Sequence, residues 1–263
     1  MKKRNDSKIT MAALMMMAAM AMTSCASSKK INGDSNVSKD SEMGKNEEDL
    51  DNSYLVLSDA QQDIVKKNNA FALRLFNKVT DMESKVISPM SISYLMGMLA
   101  NGADGITQQE ILKAIGCEGV SVSDLNELYK AMLLNASHQD KQTTVNIANY
   151  IAVNKNFKLN KNFSQQVSDG YQAGIESLDF TSSKSTDRIN GWCKEKTNGM
   201  IPRIIDQVSA DAVSYLMNAI YFKGTWQNKF NAKDTKLENF RGYTRDIQKV
   251  EMMHQVKKLF FAE

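Results

Sequence analysis

Apolar residues recur every three to four positions from Ser58 onward, then every two, and the switch divides the chain. Ile64, Phe71, Leu75 and Val79 share one helical face. Ser58 and Gln61 have the spacing of a capping box that opens this helix. "VISPMSISYLMGMLANG" reads as a short strand turning into a helix. Ser88 caps it, Pro89 takes its first position, Ile92, Leu95, Met96 and Leu99 form its stripe, and Asn101-Gly102 ends it. In "GITQQEILKAIG", Thr107 and Glu110 make a second capping box, Ile106 and Ile111 can staple its start, and Gly116 suits its end. Residues 123–135 read as a further helix.

The period then becomes two. "TTVNIANYIAV" puts Val145, Ile147, Ile151 and Val153 on one face of a strand. Residues 160–171 return to helix, and "GIESLDF" is a short strand. "STDRINGWCKEKTNG" is a helix with Ile189, Trp192 and Cys193 inward, closed by Asn198-Gly199. "AVSYLMNAIYF" is apolar on both faces, as in a central strand covered on both sides. Helices come first and strands later, interspersed, which gives an α+β class. Inside that last run lies one amide, Asn218. Buried without partners it would cost about 1–3 kcal/mol, so it requires a network.

The chain's first 53 residues do not belong to this pattern. "MKKRNDSK" is basic, "ITMAALMMMAAMAM" is apolar, and "TSC" follows, the layout of an export leader over residues 1–24. The apolar run is short of the roughly 20 residues that span a bilayer. "MTSC" resembles a bacterial lipobox, which implies cleavage before Cys25 and lipid attached there. The alternative is a secretory leader without lipid, with Cys25 incidental. Residues 25–53 hold few aliphatic side chains and read as a flexible tether of roughly 30 Å reach. The folded domain is therefore expected over 54–263, in an exported, membrane-anchored lipoprotein of the periplasm or cell surface.

Charge and cysteine content narrow the chemistry. The leader carries Lys2, Lys3, Arg4, Lys8 and Asp6, so the net charge of +3 belongs to it and the remaining chain is neutral. Nothing then favours nucleic acid as a partner. Cys117 and Cys193 do not make a disulfide framework, and their pairing is left open. His138 and His254 lack neighbours at metal-ligand spacing, so no metal is expected. No G-x-S-x-G, phosphate loop or metal motif occurs, and the S-x-x-K at Ser27–Lys30 lies in the tether. The expectation is a protein that is not an enzyme, has no catalytic residues and uses no cofactor.

Four stretches in order, "VISPMSIS", "GITQQEILKAIG", "INGWCKEKTNGMI" and "NAIYFKGTWQNKF", together resemble the serpin family over nearly all of residues 58–263. The resemblance implies helices packed on a large mixed β-sheet, with further sheets. It also implies a protease inhibitor of the suicide-substrate type. A protease, serine or cysteine, cleaves an exposed reactive loop, and the loop then inserts into the main sheet as a new strand. The sheet opens over a polar cluster, the shutter. By resemblance Ser88, Ser91, Asn190 and Asn218 belong to the shutter. Trp226 belongs to the breach, where the loop first enters. Taken alone, Asn218 reads as a satisfied core amide, Ser88 as a helix cap and Trp226 as a large core residue.

Departures from the family pattern also set expectations. Ser84 stands where the family has its first shutter asparagine, which weakens the network. Lys130 is the one basic residue of the 123–135 helix, so the polyanion-binding cluster of some members is missing. His254 does not match the shutter histidine. The sequence stops at "KKLFFAE", and nothing in it matches the reactive loop, its scissile bond or the C-terminal strands. A serpin domain truncated in this way is expected to trap no protease by itself. It is also expected to expose the strand around Asn218 as an aggregation-prone edge. The competing reading is a non-inhibitory surface lipoprotein acting as a binding module.

Overall fold

The computed structural model describes residues 55–81, 85–136, 143–243 and 245–257. The leader, the tether with Cys25, and Ser84 and His138 lie outside them, as do residues 258–263. Four helices come first: α1 (Asp59–Val79), α2 (Pro89–Asn101), α3 (Gly105–Ala114) and α4 (Val122–Ala136). Strand β1 (Thr144–Asn154), helix α5 (Lys161–Tyr171), strand β2 (Gly174–Leu178), helix α6 (Ser183–Lys196) and strand β3 (Ser214–Lys223) follow. A hairpin of β4 (Lys236–Arg241) and β5 (Ile247–Met252) comes last; the sequence pattern did not mark it.

Most helix ends lie where local chemistry puts them. Ser58 and Gln61 exchange both bonds of the capping box. The Ser88 hydroxyl accepts from the Ser91 N–H at 3.1 Å, with Pro89 in the first turn. Residues 85–88 lead into α2 but form no strand, with Ser88 itself extended. Helix α3 differs from expectation. The Asp104 carboxylate accepts from the Gly105 N–H at 2.7 Å and starts the helix before Thr107, and Ile106 points to solvent, so there is no staple. Gly116, at φ 78°, sits just past this helix, in the left-handed conformation that glycine adopts without strain. The α2 stripe also differs. Tyr94, Gly97 and Met98 are buried, Ile92, Leu95 and Met96 are half-buried, and Leu99 faces outward. This helix is apolar nearly all round, so period alone does not choose its face. Val79, at the end of α1, is also exposed.

The main sheet has the order β2-β1-β3, parallel between β1 and β2 and antiparallel between β1 and β3. Successive side chains of a strand point to opposite faces. Ile151 and Val153 of β1 and Leu216 of β3 therefore join the large core under α1–α5. Tyr150, Ala152, Met217 and Ala219 face the other way, against Ile189, Trp192 and Cys193 of α6. Strand β3 is covered on both faces, as its apolar run implied. It is not central among the described residues: β1 holds the middle, and β3 pairs with β1 alone.

Candidate functional site

The polar residues of interest lie where β1 and β3 meet. Asn149 and Asn218 are register partners. Both share the parity of Ile151 and Leu216, so their amides point into the helical core. The Asn218 Nδ2 donates to Asn149 Oδ1 at 2.8 Å, and the Asn149 Nδ2 donates to the Tyr171 carbonyl at the end of α5, 2.7 Å away. Asn218 Oδ1 is buried and accepts from nothing, the one such side-chain atom among the described residues. A buried acceptor left this way is costly, and it marks a place where a donor would be favoured.

The network continues past the carbonyl through the ring of Tyr171. Its hydroxyl donates to Asn126 Oδ1 at 2.8 Å, and Asn126 and Asn101 exchange two amide bonds of 2.8 and 2.9 Å between α4 and α2. Tyr94, Tyr129 and Tyr171 pack edge to face or tilted, with centroids 4.7 to 6.1 Å apart. Burial, with the neighbouring tyrosines, pushes the Tyr171 hydroxyl well above its ordinary range. It therefore stays a neutral donor.

The other expected site residues separate into three places. Ser88 is buried and Ser91 half-buried at the start of α2, which packs against β3 on the Asn218 side. The Ser88 hydroxyl is used within the first turn of its own helix, and among the described residues the Asn218 side chain bonds to Asn149 alone. Asn190 belongs to α6, on the opposite face of the sheet. Its Oδ1 accepts from the Ile204 and Ile205 N–H groups at 2.8 and 3.1 Å, and its Nδ2 donates to the Ile205 carbonyl at 2.9 Å. Asn190 thus pins the chain that leads to β3 and does not bond to Asn218. It also lines an open groove of ≈ 710 Å³ with Asp187, Lys194 and Arg203. Trp226 lies beyond the end of β3, 64% exposed and edge-on to Phe230, so it is not a core residue. His254 bonds to Glu238 of the hairpin at 3.0 Å, away from the sheet.

Asn149 and Tyr171 are the site residues that the sequence reading missed. Asn149 has the parity of Val145, Ile147, Ile151 and Val153, so the period-two run already placed it inward. Tyr171 carried no comparable signal, because its carbonyl is what bonds. Amide and hydroxyl groups of this kind can exchange hydrogen bonds between two arrangements of a sheet. They carry no nucleophile–base pair. Among the described residues no group of three His, Cys, Asp or Glu side chains could hold a metal ion.

Residues 66–263 match the profile of the family described as Serpin (serine protease inhibitor). The chain belongs to the serpin family. Serine protease inhibitor 42Dd of Drosophila melanogaster is 31% identical over 186 residues, which is 70% of this chain and 50% of that protein. Leukocyte elastase inhibitor of Bos taurus is 33% identical over 202 residues, 74% of this chain and 53% of that one. Among solved structures, the thermophilic serpin tengpin in its latent state has a TM-score of 0.67 at 32% identity, covering 75% of this chain and 53% of tengpin. Cleaved kallistatin with heparin has a TM-score of 0.69 at 25% identity, over 73% and 58%. The serpin chain described here thus spans about half the length of the curated relatives it matches. Its helices on a mixed sheet are those of a serpin.

Proposed function

We propose that these residues form the helix-covered part of a serine protease inhibitor whose main sheet accepts a further strand along β3. One observation carries this reading. The edge of β3 away from β1 pairs with no strand among the described residues, and beside it Asn218 Oδ1 is a buried acceptor without a donor. A strand laid along that edge would take up the backbone groups of β3 and bring a donor within reach of Asn218. In the serpin mechanism the inserted strand is the cleaved reactive loop, still acylated to the protease. The protein partner is then a target protease, serine or cysteine. Ser88, Ser91 and Trp226 act as positioning residues around the opening. Asn190 acts from the other face, through the segment leading to β3.

The test is a set of synthetic peptides with alternating small residues, added to the protein while hydrogen exchange is followed over residues 214–223. Slower exchange confined to β3 and a higher melting temperature are expected for at least one peptide. Unchanged β3 exchange with every peptide, in a protein that melts cooperatively as a monomer, would sink this reading and favour the binding module. We further propose that the protein is exported and held at a membrane by lipid on Cys25. The support is the leader and the "MTSC" motif. Mass spectrometry of the membrane fraction should find a lipidated Cys25 at the mature N-terminus; an unmodified Ala26 or an uncleaved Met1 would overturn it.

A further inference from the structure

Helix α6 is tied to the sheet by a closed ring of four side chains. Glu176 of β2 pairs with Ala152 of β1, so it faces α6 on the same side as Tyr150. The Arg188 guanidinium grips the Glu176 carboxylate with two contacts, Nη2 to Oε2 at 2.7 Å and Nε to Oε1 at 3.1 Å. The Tyr150 hydroxyl donates to the same Oε2 at 2.7 Å. The Arg188 guanidinium carbon also lies 5.6 Å from the centre of the Tyr150 ring. That ring stacks on Trp192, one turn along α6 from Arg188, with centroids 5.1 Å apart and planes 20° apart. The ring therefore runs from α6 to β2, to β1 and back to α6. Elsewhere the helix is held by the buried Ile189 and Cys193 and by neutral bonds: Asn190 to the 204–205 backbone, the Val208 N–H to Thr186 Oγ1 at 3.1 Å and the Ser185 hydroxyl to the Asp179 carbonyl.

We propose that Glu176 and Arg188, with Tyr150 between them, are an ionic latch that holds α6 down on the β2–β1 side of the sheet and sets how readily that side lifts. The ion pair has the features of a switch. Its side chains are 35% and 45% exposed, so salt reaches them, yet the aromatic stack beneath is buried. An isolated surface pair contributes little. A bidentate guanidinium–carboxylate pair with a third donor on the same carboxylate is stronger and fixed in direction. Lys67 and Asp63, 2.7 Å apart within α1, form a separate exposed pair, and they serve as a control. Breaking the latch frees one side of α6 and leaves the Asn190 side attached, so the helix swings instead of detaching.

The experiment is hydrogen exchange, read by mass spectrometry, over residues 184–196, with α2 as internal reference. In Glu176→Gln and Arg188→Gln, α6 exchange should accelerate about fivefold, the scale of a well-formed pair, with α2 unchanged. The double variant should add nothing to either single one. Raising salt should accelerate α6 exchange in the parent protein and have no effect in the latch variants, and Asp63→Asn should behave as the parent. The charge swap Glu176→Arg with Arg188→Glu should restore part of the protection. If a polar variant fails to fold, Tyr150→Phe removes one bond to the same carboxylate and should show a smaller acceleration. Equal α6 exchange in the parent protein and Glu176→Gln, or an equal salt effect in both, overturns the latch.

Discussion

Asn149 and Asn218 stand opposite one another across β1 and β3 and share one hydrogen bond, from Asn218 Nδ2 to Asn149 Oδ1 at 2.8 Å. The relationship is unequal. Asn149 is bonded on both sides, because its own amide donates to the Tyr171 carbonyl. Asn218 is bonded on one, and its oxygen is left over. Asn149 anchors the pair, and Asn218 is the member able to take a new partner.

Replacing Asn149 with alanine orphans two groups, the Asn218 amide and the Tyr171 carbonyl. Replacing Asn218 with alanine orphans only Asn149 Oδ1 and removes an acceptor that was already unpaired. Asn149→Ala should therefore cost more than Asn218→Ala, by about 1–3 kcal/mol. Urea denaturation of the two variants checks the order. An equal or reversed ranking would mean that the pair is not held from the Asn149 side.

Gly97 is fixed by space rather than by backbone conformation. A Cβ there would lie 2.4 Å from the Tyr171 Oη and 3.0 Å from the Tyr129 ring. Both rings are enclosed by the tyrosine cluster and cannot swing aside. Gly97→Ala should destabilise the protein by about 1–3 kcal/mol through overpacking, despite the higher helix propensity of alanine. The Tyr171–Asn126 bond should be the first lost, as a change in the near-ultraviolet dichroism of the tyrosines.

Asp179 is one contributor to the acid sensitivity of the fold. A hydrogen bond from Lys155, and two more from Thr181, hold its carboxyl down at about 2. A depressed carboxylate contributes stability above its unfolded value, near 4, and loses it as pH falls toward 2. Stability should therefore decline between about pH 4 and pH 2 more steeply in the parent protein than in Asp179→Asn, with the difference shrinking in high salt. Thermal melts across that range, with the carboxyl titrated by NMR, give the comparison.

Cys117 and Cys193 should be unreactive in the folded protein. Both are buried and unpaired, and they lie in cores on opposite faces of the sheet. Burial pushes the Cys117 thiol up to about 11 and raises that of Cys193. At pH 8 neither should react with a thiol reagent until the chain is unfolded, when both should. A 117–193 disulfide in mapped peptides from native protein would contradict the sheet arrangement.

What could be read from the sequence was whatever local chemistry decides. The Ser58–Gln61 box and the Ser88-Pro89 start need only their own neighbours, and both formed as expected. The start of α3 went wrong because Asp104 and Thr107 are both good caps, and only the geometry at Gly105 chooses between them. Asn218 was conspicuous as a polar residue in an apolar run, whereas Asn149 was hidden by an alternating pattern in which polar residues are ordinary. The separation of Asn190 from Asn218 depends on which face of the sheet α6 covers, and no spacing along the chain encodes that. Size alone made Trp226 a core residue, but among the described residues it lies beyond the last β3 residue, exposed and edge-on to Phe230.

The span between Asn149 and Asn218 also bears on how the molecule is made. The two are 69 residues apart in the chain, with α5, β2 and α6 in between. At the usual pace of synthesis that interval lasts on the order of ten seconds. During this time β1 has left the ribosome and its antiparallel neighbour has not been made. Its inward amide and apolar face then have only the earlier helices for company. A contact closed over so long a loop also forms late and slowly. Among the described strands of the main sheet, the last backbone ladder to close is thus the one that carries the asparagine pair, and a nascent chain is exposed to mispairing while β1 waits for it.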